Sequence, residues 1–394
     1  MTLPRTATTF APPVMEARRW IDGVVHPADR PLINVSQAAP TEPPHPDMRR
    51  HMADVALSDD SAHLYGPVLG MGTLRAALAA RTQRLYGGTV NADQVCITSG
   101  CNQAFAAAIS TLCAEGDEVI VPVPWYFNHK MWLDMAGAVA VPLICTDAML
   151  PDPVQAENLI TPRTRAIVLV TPNNPTGLEY PDGLVSAFYE VAKTHGIALI
   201  IDETYRDFHA GTGVPHSLFQ QPDWSDTLIH LYSFSKAYRL TGHRVGALIA
   251  SKARLAETEK FLDTVAICPN QIAQHAALWG MENLDQWLSG ERDEILHRRA
   301  AITQAMPHVA SKGWQLLGLG GYFAYLQHPF ALSSAELAPL MVREAGILCL
   351  PGTMFYPADD PAGASQLRIA FANLDARGIA TLFERLGALD LPRA

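Results

Sequence analysis

Between about residues 45 and 280, short apolar runs alternate with stretches of helical period. Residues 95–98, 118–121, 139–143, 166–170, 198–201, 228–232 and 245–250 read as strands, and 102–112, rich in alanine, and 127–135 as helices. The last four runs are apolar at nearly every position instead of alternating. Such strands are buried on both faces, which implies a mostly parallel sheet covered by helices, an α/β fold.

The two ends carry a different pattern. Residues 40–46 hold four prolines and read as an extended crossing segment. From about residue 285 the order is helix, strand (322–327), helix (334–345) and two strands (347–350 and 367–371). This predicts a second, smaller α+β unit. The expected division is a large unit at 45–284 and a small unit built from 1–44 and 285–394. No repeat or low-complexity tract interrupts it.

Composition narrows the class. With 394 residues, 48% apolar and 17% charged, the chain is globular and long enough for two units. Its formal net charge of −10, without blocks of like charge, argues against a nucleic-acid partner. No apolar run reaches the length of a membrane span, and residues 1–10 lack an apolar signal core. Cys96, Cys101, Cys113, Cys145, Cys268 and Cys349 are scattered, which fits reduced cytoplasmic thiols. His-Glu-x-x-His is absent and the fourteen histidines show no ligand spacing, so no metal is expected.

The candidate chemistry lies at strand ends, where open α/β sheets bind ligands. After 95–98 comes Ser99-Gly100-Cys101-Asn102, opening a helix: a phosphate cradle, or an ordinary strand-to-helix turn. After 166–170 comes Thr171-Pro172-Asn173-Asn174-Pro175-Thr176-Gly177, a stiff loop in which Asn174 is an uncharged donor for a phenolic oxygen. After 198–201 comes Asp202-Glu203-Thr204-Tyr205. A carboxylate ending a buried strand needs a partner, either a protonated pyridine nitrogen or an arginine. Tyr205 can reach the ring's oxygen or simply pack. After 228–232 comes Ser233-Phe234-Ser235-Lys236, then Gly242-His243-Arg244. Lys236 can form an imine with an aldehyde cofactor while Arg244 holds its phosphate, or it can be a solvated loop lysine. The Ser-x-x-Lys spacing also occurs in acyl-transfer hydrolases, but the Ser-Asp-Asn and Lys-Thr-Gly elements those enzymes need are missing. Together the four strand ends supply what an aldehyde-bearing pyridine phosphate requires.

Over about residues 32–386 the sequence resembles the class I/II aminotransferases, fold-type I enzymes that use pyridoxal 5′-phosphate (PLP). The resemblance rests on Asn-Asn-Pro-Thr-Gly (173–177), Asp-Glu-Thr-Tyr (202–205), Ser-Phe-Ser-Lys (233–236) with Gly-His-Arg (242–244), and Arg368-Ile369-Ala370-Phe371-Ala372. It implies a three-layer αβα large domain with a smaller α+β domain. It implies Lys236 as the lysine that forms the internal imine and shuttles the proton, and Asp202 as partner of the pyridine nitrogen. Asn174 and Tyr205 become ligands of the ring oxygen, and Tyr126, ahead of Trp125, becomes the stacking aromatic. Ser233, Ser235, Arg244 and the Gly100–Cys101–Asn102 backbone form the phosphate site, and Arg368 binds the substrate carboxylate. Tyr65, in Leu64-Tyr65-Gly66-Pro67, matches the tyrosine that reaches the neighbouring subunit's phosphate, which implies a homodimer. The implied activity moves an amino group between an L-amino acid and a 2-oxo acid.

Three departures bear on specificity. Ala38 stands where relatives often carry glycine near the substrate, and Cys101 where some carry a hydroxyl residue. No second arginine for a dicarboxylate side chain is identifiable. Trp125, Tyr126, Tyr322 and Phe323 suggest a medium or aromatic substrate. The same fold and cofactor also serve C–S β-lyases, decarboxylases and aminocyclopropane carboxylate synthases. A non-catalytic PLP-binding regulatory protein is the alternative of a different class, but such proteins carry an added basic DNA-binding segment, and none is present here.

Overall fold

The computed structural model describes residues 3–393. Met1, Thr2 and Ala394, which fall in the expected smaller unit and, for the first two, in the stretch 1–10 read for a signal core, lie outside them. Among the described residues, thirteen strands form three sheets. The first, β1 (Ile33–Asn34), belongs to the N-terminal segment. Seven more make the central sheet: β2 (Val95–Thr98), β3 (Glu118–Val123), β4 (Val139–Ile144), β5 (Thr164–Val170), β6 (Ala198–Asp202), β7 (Leu228–Ser233) and β8 (Gly246–Ile249). Their order is β2-β8-β7-β6-β5-β3-β4. β8 alone runs antiparallel, to both β2 and β7. The other pairings are parallel, so the mostly parallel sheet read from the apolar runs is present.

Alternation sends successive side chains of β6 to opposite faces. Ala198 and Ile200 pack with the helix Cys101–Leu112 on one face, while Leu199 and Ile201 join Leu74 and Leu78 of the helix Gly72–Tyr86 on the other. Both faces are therefore covered, as continuous apolar strands require.

β9 (Gln315–Gly320), β10 (Phe323–Gln327), β12 (Leu350–Pro351) and β13 (Gln366–Ile369) form an antiparallel sheet in the order β12-β13-β10-β9. The strand expected at 347–350 is two pieces in different sheets. β11 (Ile347–Leu348) pairs in parallel with β1, and after Cys349 the chain crosses to β12, antiparallel to β13. All four residues from Ile347 to Leu350 are fully buried. A continuous apolar run in sequence thus conceals the switch of sheet. Pro351 sits on the edge strand, where its missing N–H costs nothing. Residues 40–45 form no helix or strand, but Pro46 opens the helix Pro46–Ser58, a position that suits proline. Tyr322 precedes β10, and Phe371 begins a 3₁₀ turn after β13. Among the described residues no helix is long and apolar enough to cross a membrane.

Candidate active site

Register brings the strand ends together. Val170 pairs with Asp202, Asp202 with Leu231, and Gly246 with both Thr98 and Ser233. The segments beyond them line one cavity of about 450 Å³. Its walls include Ala38, Cys101, Asn102, Tyr126, Asn174, Asp202, Tyr205, Ser233, Ser235, Lys236, Arg244 and Arg368. The sequence-expected residues therefore converge, with two exceptions. Gly100 lies just behind the wall, and Tyr65 stands 80% exposed away from the cavity.

At the end of β7, Ser233 Oγ accepts from the Ser235 N–H at 3.2 Å and caps the single turn Phe234–Ala237. That turn aims Lys236 into the cavity, where Nζ donates to the Ala38 carbonyl. Burial, then the charges of Arg244 and Arg368, lower the Lys236 pKa to about 7. A substantial fraction of this amine is neutral at physiological pH. Arg244 donates to Ser235 Oγ at 3.3 Å and to the Thr241 carbonyl at 3.0 Å. Gly100 has φ of 85°, and a Cβ there would stand 2.1 Å from Arg244 Nη2. Glycine is thus required both by the turn and by the arginine behind it. The helix Cys101–Leu112 begins at this point with no side-chain cap, so its N-terminal amides face the same space as Arg244. Cys101 is held as a thiol, because burial raises its pKa well above the ordinary value.

Asp202 is 3% exposed. Burial opposes its charge, yet the His129 imidazole and the Thr204 N–H, 3.0 Å from Oδ1, keep its pKa below the usual carboxylate value. His129 Nε2 lies 3.2 Å from Asp202 Oδ2, at an angle too oblique for a well-formed hydrogen bond. The ring is fixed by stacking on Phe105, with centroids 3.8 Å apart, and by an edge contact with Tyr126 at 4.9 Å. Tyr126 OH accepts from Asn128 Nδ2 at 2.9 Å.

In the 171–177 loop the two asparagines divide the work. Asn173 is spent on the loop, accepting from the Thr176 N–H at 3.0 Å and hydroxyl at 2.8 Å and donating to Tyr180 OH at 3.1 Å. Asn174 faces the cavity, where its Oδ1 accepts from Arg368 Nη1 at 2.9 Å. Arg368, on β13 and 2% exposed, also donates from Nη2 to the Ser36 carbonyl, and its Nε has no partner. Phe323, Phe355 and Phe127 surround the guanidinium at 4.9, 5.1 and 5.8 Å. Burial lowers its pKa to about 10, so it stays charged at neutral pH.

Sequence reasoning missed His129, although it follows Tyr126 by three residues at the start of a helix, which places both on one face. It also missed Val14, Gln37, Asn128 and Thr241, which join the wall, Gln37 and Thr241 from beside residues already singled out. Of the four aromatics read as a sign of substrate size, only Tyr126 lines the cavity. Tyr322 packs on Tyr205, Phe323 lies against Arg368, and Trp125 is buried beneath Lys130. The histidines do meet in space. Glu203, His216 and His230 place one ligand atom each within 4.8 Å of one another. This group lies on the far face of the sheet, with Glu203 Oε2 accepting from Tyr86 OH and from His230 Nε2, the latter at 2.6 Å.

Comparison with known proteins agrees with this geometry. The family model for aminotransferases of class I and II matches residues 30–386. The chain is 29% identical over 322 residues to a probable aspartate/prephenate aminotransferase of Thermus aquaticus, covering 78% of this chain and 79% of the relative. It is 31% identical over 309 residues to the arginine–pyruvate transaminase of Pseudomonas aeruginosa, covering 75% of each. A solved methionine aminotransferase of Escherichia coli has the same fold, with a TM-score of 0.87 at 24% identity, covering 99% of this chain and all of that one. The chain belongs to the class I and II aminotransferases, with their fold-type I architecture.

Proposed function

We propose that this aminotransferase works with pyridoxal 5′-phosphate held by Lys236, on L-amino acids whose side chains are neutral, as a homodimer. One observation carries the reading: Asp202 at the end of β6, Lys236 and Arg244 between β7 and β8, and Arg368 on β13 meet in one cavity. The residues fit the group. Arg244, the hydroxyls of Ser233 and Ser235, and the first amides after Gly100 suit a phosphate. Asp202, held as an anion, suits a protonated ring nitrogen, Asn174 and Tyr205 suit the ring oxygen, and Tyr126 suits its face. Arg368, with an unpartnered Nε, suits the substrate carboxylate. When bound, the cofactor supplies an electron sink that acidifies the substrate's Cα proton.

The chain's own residues supply the rest. Asp202 keeps a negative charge where a pyridinium needs one. Lys236 has the pKa for taking and returning a proton near neutral pH. Arg368 fixes the substrate by its carboxylate and so orients Cα toward Lys236.

Charge counting supports the substrate class. Among the described residues, the cavity's only cationic side chains are Lys236, Arg244 and Arg368, and each has a role. Two neighbouring segments, the loop after His63 and the end of the helix Lys252–Ala266, are joined by a 3.4 Å contact from the Gly66 N–H to Cys268 Sγ and expose Leu64, Tyr65, Val265 and Ile267. They support a neighbouring subunit that brings Tyr65 to this site. A core on one face of the central sheet and another on the antiparallel sheet support a division near 45–284 and 1–44 with 285–394, while a third core packs Ala17, Leu348, Leu350 and Phe355 of the second unit against the central sheet's other face.

Purified protein should show an imine absorption band that shifts on adding a neutral amino acid. A Lys236→Ala variant that retained both the band and turnover would refute the assignment. An amino-acid panel read by single-turnover spectra identifies the donor, and release of ammonia with oxo acid would mark a lyase instead.

A further inference from the structure

Arg239 lies three residues beyond Lys236 and has a left-handed backbone, with φ of 56°. That conformation favours glycine and disfavours a long side chain. The guanidinium accounts for an arginine there. Its Nε and Nη2 each donate to Glu291 at 2.8 Å in a two-pronged pair, Nη1 meets Glu42, and the Trp287 ring lies 5.3 Å away. Glu291 and Trp287 belong to the long helix Asp285–Ala310, and Glu42 to the proline-rich crossing segment. Arg239 therefore ties three parts of the molecule together: the turn that carries Lys236, the segment 36–42, and a helix that packs on the second sheet's core.

Segment 36–42 matters because its carbonyls cover the two substrate-facing cations. Ala38 O accepts from Lys236 and Ser36 O from Arg368. Its first half is pinned by Asn373, whose Nδ2 donates to the Gln37 carbonyl at 2.7 Å. Its far end is pinned through Glu42.

We propose that Arg239, clamped between Glu42 and Glu291, is a positioning residue that holds segment 36–42 over the cavity and keeps water from the Lys236 amine. This rests on the reading of Lys236 as the reactive amine. The groups facing Lys236 are Arg244, Arg368, Asp202, Tyr205 and the Ala38 carbonyl. The four side chains lie outside segment 36–42 and stay when the clamp is cut, and only the Ala38 carbonyl moves with that segment, so a change in the amine's titration reports the opening of the segment over it.

The test is competitive acetylation of the full chain, freed of cofactor, with trace acetic anhydride across pH. Peptide mass spectrometry reads modification of Lys236, and amide exchange reads residues 38–42. In the unaltered chain the Lys236 midpoint is expected near 7. Glu42→Gln and Arg239→Lys should raise it by about one unit, a roughly tenfold change in the ionisation constant, and should speed exchange at 38–42. Glu294→Gln removes a carboxylate that bonds Arg298 nearby and should move neither. Glu42 is largely exposed, so its replacement leaves the core intact. An unchanged midpoint in both clamp variants overturns the proposal. Labelling does not require turnover, so its outcome is separate from that of Lys236→Ala, which tests the reading beneath it.

Discussion

Asp202 ends β6 and Glu203 follows it directly, yet the two face opposite sides of the sheet and opposite fates. Glu203 is enclosed. Its Oε2 accepts from Tyr86 and His230, and His216 Nε2 lies 3.5 Å away. Burial opposes its charge, but the two imidazoles hold its pKa well below the ordinary value. His230 itself is kept neutral by burial. Asp202 has only oblique His129 and the Thr204 amide, and it borders open space. Burying a carboxylate demands partners. Where the chain supplies them in full, the group serves the fold. Where it leaves a cavity beside the charge, the carboxylate is open to the ligand role proposed for Asp202.

The sharpest way to break this contrast is to neutralise each carboxylate in turn. Asp202→Asn should lower kcat by about 10²–10³-fold, the scale of losing one preorganised electrostatic contact, with little change in the urea midpoint. Glu203→Ala should do the opposite. Removing one member of a buried charged network costs about 3 kcal/mol, read from urea unfolding, while kcat of the folded protein falls far less than in Asp202→Asn. If Glu203→Ala silenced turnover as deeply and left stability intact, the two faces would not differ as described. Next in size, Arg368→Lys should raise KM by about 10–100-fold with a smaller effect on kcat. A point charge cannot reproduce the planar fork, and a charged hydrogen bond contributes about 1.5–3 kcal/mol.

The cavity face was the more legible of the two. Strand ends fall at strings of unusual residue type, and register carries them to one edge, so Asn174, Asp202, Lys236 and Arg244 could be named from local sequence. Arg368 needed the family resemblance, because it reaches the cavity from the other sheet. His129 comes from a segment whose pattern carries no chemistry. The far face was illegible for the same reason: His216 and His230 lie far from Tyr86 in sequence, and their meeting is a product of tertiary packing alone. The strand 347–350 was misread because continuous burial looks the same whether a run stays in one sheet or changes sheets.

A smaller effect separates the two supports of Asp202. The pKa of this carboxylate lies below 3.8 because His129 and the Thr204 amide together outweigh burial. His129→Gln removes the imidazole and leaves burial, which acts upward. The pKa must rise, so activity should be lost at higher pH as the medium is acidified. The acid limb of kcat/KM is expected to move to higher pH. A limb that stayed in place would mean that Thr204 suffices and that His129 serves only to pack on Phe105.

A separate effect, read in stability and not in turnover, concerns the cation that shares the cavity with Asp202. Lys236 has a pKa of about 7 in the fold and 10.5 as its ordinary value, which stands for the unfolded chain. Between those values the unfolded chain holds one proton more, so stability of the cofactor-free protein rises with pH across that window. Below about 7 both states are protonated and the penalty of a charged amine beside Arg244 and Arg368 is present in full. Lys236→Met removes the titration while keeping the length of the side chain. The urea midpoint of the variant should exceed that of the parent at pH 7, and the gap should narrow steadily toward pH 10. Glu203 imposes no such slope there, because its charge is already matched in the fold and it titrates far below. Parallel curves for the Met variant and its parent would show that Lys236 is hydrated in the free protein, and that the cavity face pays no standing cost for its unmatched cations.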